Sequence, residues 1–246
     1  ADLTAIPGVE GKVNYDPKTR TLTLDNASIS TNKHYGILNF MNNLTIKLTG
    51  TNTITAQLNN AIYNNDDCLI SVVGPNARLN LQGATASEDK AGRQAFQNHG
   101  TASISQCTIE ASAGINALSF GEWKFDRCNV RAKAEGDEKY RFAGSIAYLA
   151  KVPELTGCVL VAQSGTHWKE FSDEYGTNYT LVDAAEKPIT DWVTITTDPA
   201  GIANPAVSTA TTVKNTYTIG GVRLAGEPNQ LPKGLYIVNG KKTMKR

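Results

Sequence analysis

The sequence predicts an all-β chain: a right-handed parallel β-helix with a cap at each end, followed by a small C-terminal β-hairpin module. Three observations carry this reading. Short alternating strands recur along the first two thirds of the chain, two separate markers keep the same register from one unit to the next, and cysteine returns to one place in three successive units. A chain of 246 residues is long enough to bury a substantial core around such a repeat.

The elements follow in chain order. Residues 13–20, VNYDPKTR, read as a strand and a turn set by Asp16-Pro17, which suits an N-terminal cap. The stretches LTLDNASIS, LTIKLTGTNTIT, LISVVGPNARLNL, ASISQCTIEA, WKFDRCNVRA and PELTGCVLVA then share one shape, a short strand, a polar bend and a second short strand. The aliphatic residue after the bend gives the marker series Ile29, Ile54, Leu79, Ile109, Val130 and Leu160, spaced by 25, 25, 30, 21 and 30 residues. A second marker runs in step: Ile37-Leu38-Asn39, Ile62-Tyr63-Asn64 and Phe96-Gln97-Asn98. Strands this short are unstable alone, but coils stacked along an axis give each one a parallel neighbour above and below. The longer coils are expected to carry charged insertions around 86–93 and 135–141.

Residues 163–195 lose the period and gain His167, Trp168, Phe171, Tyr175, Tyr179 and Trp192, so they are expected to close the far end as a hydrophobic cap. The domain reading is therefore 1–195 for the capped β-helix, 196–213 for a linker of small residues and 214–246 for the C-terminal module. In that module Asn239-Gly240, between two apolar-bearing runs, is a two-residue hairpin signal, and three or four strands are expected.

Four cysteines in an exported chain would ordinarily suggest two disulfides. Register argues otherwise. Cys107, Cys128 and Cys158 hold one place in successive coils, so their Cβ vectors should run parallel about 4.8 Å apart, whereas a disulfide prefers Cβ atoms about 3.8 Å apart. With Cys68 on another part of its coil, four free thiols are expected.

Charge narrows the function classes. With 24 basic and 23 acidic residues the net charge is +1, which gives no global field to attract nucleic acid. No apolar run is long enough to span a bilayer as a helix, and the residues after Ala1 do not resemble a signal peptide. The abundance of Thr, Asn and Gly favours a mature exported scaffold whose leader has been removed. A monomer is expected, or a weak dimer through exposed strand edges.

The ordered phrases YDPKTRTLTLDNASI, GILN, NLTIKLTGTNTIT, AIYN and QCTIEA resemble those of uncharacterised surface or secreted β-helix proteins of Bacteroidetes, over roughly residues 9–195. The ending VRLAGEPNQLPKGLYIVNGKKTMKR is similar to the C-terminal tail of many exported proteins of that phylum. The resemblance implies a pectin-lyase-like solenoid in the cell envelope, at the cell surface or secreted, with no catalytic activity of its own and a loose association with carbohydrate or surface binding. The expected partner is thus a glycan or surface polymer.

The sharpest enzymatic lead is AIYNNDDCLISV, which resembles the strand bearing paired aspartates in polygalacturonase-type glycoside hydrolases. Such chemistry needs one carboxyl group to protonate the leaving oxygen and others to activate water. Asp66 and Asp67 could serve only if a bend re-aims one of them, because successive strand side chains face opposite ways. His99, in QNHG, is the nearest downstream histidine to the Gly-His-Gly of that family, while the acid of the preceding coil and the later Arg-Ile-Lys are missing. The acids Glu88, Asp89, Glu135, Asp137 and Glu138 are mixed with Lys and Arg, as expected of solvated loops rather than a calcium site. His34, His99 and His167 lack metal-ligand spacing, and no Gly-x-Ser-x-Gly elbow occurs. No metal or cofactor is expected. For glycan stacking, Tyr63 and Tyr140 are the leading residues, with Tyr35, Trp123, Tyr148 and the aromatic residues of 168–179 as further material. The lysines of the tail read as protection of a strand edge, or as a tail recognised by export machinery.

Overall fold

The computed structural model describes residues 1–33, 35–85, 93–136, 140, 143–173 and 176–197, together with the backbone of four short strands between 216 and 245. The insertions expected around 86–93 and 135–141, His34 and most of the expected linker lie largely or wholly outside the described residues. The chain divides into two units, Ala1–Ile202 and Ala203–Arg246. Every regular element among the described residues is a strand.

In the first unit the chain winds through stacked parallel ladders, a solenoid-like arrangement. β2 (Thr21–Thr31) bends near Asn26 and supplies strands to both arms of a thirteen-stranded sheet. One arm continues through β4 (Leu44–Thr49), β7 (Leu69–Val73), β10 (Thr101–Ser105), β13 (Glu122–Asp126) and β16 (Glu154–Thr156). The other continues through β5 (Thr51–Ala56), β8 (Arg78–Gln82), β11 (Thr108–Ala113) and β14 (Asn129–Ala134). A second sheet stacks β3 (Ile37–Asn39), β6 (Ile62–Asn64), β9 (Gln94–Asn98), β12 (Asn116–Ser119) and β15 (Gly144–Ala147), all parallel.

Alternation sets the core. Leu22, Ile46, Val72, Ile104 and Phe125 are in register on one arm, and Ile37, Ile62, Phe96, Leu118 and Ile146 on the second sheet. Apart from the partly buried Ile37, all of these are buried, and Phe96 meets Trp123 edge-on at 4.9 Å. Trp123 is therefore a core residue, 2 % exposed, and not the binding-surface residue the sequence suggested.

Two expectations about the repeat need correction. Ile54 stands opposite Leu81, while Leu79 stands opposite Asn52, so the first marker slips by two residues in the third coil. Asn52 is the reason. It is fully buried at an inward position, where its carbonyl accepts from the Ala27 N–H at 2.9 Å and its amide donates to the Thr49 carbonyl at 3.1 Å. The sixth coil is only half a coil: β16 lies parallel on β13, but β17 (Val159–Val161) is separated from β14 by β20 (Val193–Thr196), antiparallel to both. Leu160 faces Ile195 and not Val130.

An added antiparallel element lies at each end of the stack. β1 (Val9–Asp16) pairs antiparallel with β2 at the start. At the far end β18 (His167–Asp173) and β19 (Gly176–Val182) form a hairpin that bridges to the second sheet's neighbourhood through Leu149 and Tyr179. Trp192 departs from its expected role in an apolar cap. It is 36 % exposed and lies against the Arg131 guanidinium, 4.2 Å from the ring centroid.

All four cysteines are free and buried. The Cys158 thiol donates to the Phe125 carbonyl at 3.4 Å, and Cys107 and Cys158 are the neighbours of Cys128. Burial pushes the Cys107 thiol up to about 12 and raises that of Cys128 as well, so these groups behave as small apolar side chains.

The second unit, described by itself, is a four-stranded antiparallel sheet of β21 (Thr216–Thr218), β22 (Arg223–Leu224), β23 (Gly234–Val238) and β24 (Lys241–Lys245). Val238 pairs with Lys241 across the β23–β24 hairpin, and the expected turn residues Asn239-Gly240 lie outside the described residues.

Candidate functional site

At the exit of the first three second-sheet strands the chain turns sharply into the next strand of the large sheet, and this bend is built on asparagine. Asn39, Asn64 and Asn98 occupy one register position, each at most 1 % exposed. The Asn39 amide donates to the Asn64 carbonyl oxygen at 2.6 Å, and Asn64 donates in turn to Asn98 at 2.8 Å. Each also ties down its own bend: Asn39 donates to the Met41 carbonyl, Asn64 to that of Cys68, and Asn98 to those of Gly100 and Glu122. Buried amides without such partners would be costly, so the ladder fixes where each bend begins.

One residue past Ser119 and Ala147, in the next two coils, the same register holds Phe120 and Tyr148. Both have φ of +61°, a conformation bulky residues rarely adopt. Their rings join a column along one flank of the solenoid. Tyr35 lies 5.3 Å and Phe40 6.4 Å from Tyr63; Tyr63 is 5.4 Å from His99; His99 stacks on Phe120 at 4.7 Å; Phe120 meets Tyr148 at 5.1 Å, and Tyr148 meets Phe171 of the end hairpin at 5.4 Å. The column is graded. Tyr148 is buried beneath the hairpin, with its hydroxyl bonded to the Asp173 carboxylate, whereas Phe40 at the other end is 64 % exposed beside the exposed Leu38 and Met41.

His99 sits at the centre with its protons assigned by its neighbours. The Gln94 backbone N–H donates to the Asn60 carbonyl oxygen at 3.2 Å, the Asn60 amide donates to the Gln97 carbonyl oxygen at 2.5 Å, and this turns the Gln97 amide toward His99 Nε2 at 2.7 Å. Nε2 therefore accepts, and the ring proton is on Nδ1, which faces the Asp66 carboxylate at 3.7 Å. Burial holds His99 below its ordinary value of 6.5, partly offset by Asp66. Asp66 itself is 75 % exposed at the side chain. The bend does re-aim the acids, since Asp67 has φ of +57°, and of the two it is Asp66 that reaches His99.

Of the two tyrosines expected to bind ligand, Tyr63 lies within the column, half-buried, its hydroxyl 3.4 Å from the Asn65 side-chain oxygen and its own pKa raised by burial and then by Asp66. Tyr140 is half-buried with its hydroxyl shielded from solvent, bordered on both sides by residues outside the described set. Sequence reasoning missed Phe40 and Phe120, and it took His99 for a catalytic candidate only. The signal for Phe120 was its place just after the strand, opposite Asn98.

The folded state resists protonation of His99, so the unfolded chain binds more protons between the two titrations and stability falls as pH drops from about 7 through His99's lowered value. Urea midpoints measured at neutral pH and near pH 5.5 should show this loss reduced in His99→Gln and deepened in Asp66→Asn. His167, raised by the Gly165 carbonyl and by Glu186, changes in the opposite sense, so the effect is read as the difference between wild type and His99→Gln.

Compared with family models, curated proteins and solved structures, the chain matches none.

Proposed function

We propose that this chain is a non-catalytic binding scaffold, a right-handed parallel β-helix of the pectin-lyase-like kind, exported to the cell surface or beyond, which takes a glycan along the open end of its aromatic column. One observation carries the reading: ring after ring emerges on a single flank, from Tyr35 and Phe40 through Tyr63 to His99, with Asn65 and Asp66 beside them. Aromatic faces and edges pack on the apolar faces of sugars while adjacent polar groups bond their hydroxyls. The resemblance of its phrases and tail to exported surface proteins supports the location.

The Asp66–His99 contact favours a second reading, a polysaccharide-active enzyme with an unusual site. Two features weigh against it. The accepting nitrogen of His99 is taken by Gln97, so the ring is not poised as a base, and the Asp66 side chain is 75 % exposed to solvent and, among the described residues, not enclosed in a cleft opposite a second carboxyl group. Affinity electrophoresis against a glycan panel should show retardation that Tyr63→Ala and Phe40→Ala each weaken by about tenfold, the scale of one lost aromatic contact. A reducing-end and unsaturated-product assay on polyuronides should show no turnover. Turnover abolished by Asp66→Asn or Asp67→Asn would replace this reading with the enzymatic one, and absence of binding to every glycan would remove it.

A further inference from the structure

The outer face of the second arm of the large sheet, on β8, β11 and β14, carries a separate site that the aromatic column does not use. Arg78, Thr108 and Asn129 are in register across these strands, as are Asn80, Glu110 and Arg131. The side chains of Arg78, Thr108, Glu110, Asn129 and Arg131, with Thr194 of β20, line a cavity of about 290 Å³, just under the usual range for ligand pockets.

Its chemistry is that of an anion receptor with sugar-compatible walls. Two guanidinium groups face one carboxylate: Glu110 Oε2 is 3.0 Å from Arg131 Nη1 and 4.0 Å from Arg78 Nη1. The lining thus keeps one positive charge in excess. Arg131 gives Glu110 a single N–H, and its plane is fixed by Trp192, so the remaining edge of the fork is pre-oriented. Asn129 uses its carbonyl oxygen to accept from the Thr196 hydroxyl at 2.7 Å and the Thr197 N–H at 3.2 Å, which leaves its amide N–H groups to a ligand. Thr108 and Thr194 add hydroxyls.

We infer that this cavity binds an anionic sugar unit of a polysaccharide, its carboxylate or sulfate lying against the free guanidinium edges of Arg78 and Arg131 and its hydroxyls against Asn129, Thr108 and Thr194. Glu110 is the built-in competitor: it keeps both guanidiniums in place when the cavity is empty and repels the incoming anion. The site stands independently of the aromatic column.

Calorimetric titration of the full chain with an oligogalacturonate, with a sulfated heparin oligosaccharide and with a neutral cello-oligosaccharide tests this. Binding is expected for an anionic sugar and not for the neutral one, weakening with added salt. The tighter of the two anionic arms identifies carboxylate or sulfate as the group recognised. Arg131→Ala and Arg78→Ala should each cost about tenfold in affinity, the order of one lost charge-assisted hydrogen bond. Glu110→Gln should tighten binding, and Lys18→Ala on the exposed N-terminal turn should leave it unchanged. Should Arg131→Ala disturb the fold through Trp192, Arg131→Lys keeps the charge while removing the fork and should still bind more weakly than wild type. The proposal is overturned if neither anionic ligand binds, if both arginine variants bind as wild type does, or if Glu110→Gln weakens binding.

Discussion

Replacing Asn64 by alanine should destabilise the first unit by about 3 kcal/mol or more, because several buried polar groups lose their partner at once. Asn64 is fully buried and engages three groups: its oxygen accepts from Asn39 at 2.6 Å, and its amide donates to Asn98 at 2.8 Å and to the Cys68 carbonyl at 2.9 Å. None of the three can reach water in its place. Leucine, similar in volume, is expected to do no better, since the cost lies in unsatisfied partners and not in an empty space. Asn65, one residue on and half-buried, offers the contrast: Asn65→Ala removes only the long 3.4 Å contact from the Tyr63 hydroxyl and should change stability by under about 1 kcal/mol. Urea unfolding of the three variants decides the matter. An Asn64→Ala midpoint close to that of Asn65→Ala would mean the ladder does not hold the bends.

The ladder also shows what the sequence made legible. Asn39, Asn64 and Asn98 were visible as a recurring register mark because the residues before them alternate, and alternation is a local property. Their burial was not visible, since asparagine in a bend is ordinarily solvated and the partner of each lies 25 or 34 residues away. Phe120 and Tyr148 were hidden for a different reason. A left-handed φ at both turns the side chain away from the side that alternation assigns to it, so no period exposes the column. The antiparallel insertion of β20 between β14 and β17 was out of reach altogether, because it joins Val130 to Ile195 across 65 residues and obeys no repeat. For the candidate site, Asp66, His99 and Tyr63 were each singled out, but the relay through Asn60 and Gln97 that fixes the histidine proton depends on side-chain geometry that spacing does not encode.

Gly100→Ala should be the substitution that couples this bend most directly to the site, with a stability loss of about 3 kcal/mol, the upper end of what overpacking costs. A Cβ at Gly100 would stand 2.1 Å from the Cys68 carbonyl oxygen, 2.8 Å from its nitrogen and 2.9 Å from its carbonyl carbon. These are backbone atoms, and they cannot rotate aside. The same carbonyl accepts the Thr101 N–H at 3.0 Å, and the Gly100 carbonyl accepts the Glu122 N–H at 2.9 Å, so relief requires that neighbouring coils separate where Asp66 and His99 meet. Separation moves the Asp66 carboxylate, the one influence that raises the His99 titration, away from a ring that stays stacked on Phe120. An NMR titration of the His99 ring in Gly100→Ala should therefore fall below wild type, in the direction of Asp66→Asn. Gly176→Ala provides the control: its φ of +117° makes alanine unfavourable, but a Cβ there meets nothing within 4 Å. It should cost about 1 kcal/mol through backbone strain alone and leave the His99 titration unmoved. If Gly100→Ala lowers stability no more than Gly176→Ala does, the bend has room to spare and the tight coupling between coil spacing and the His99 site is refuted.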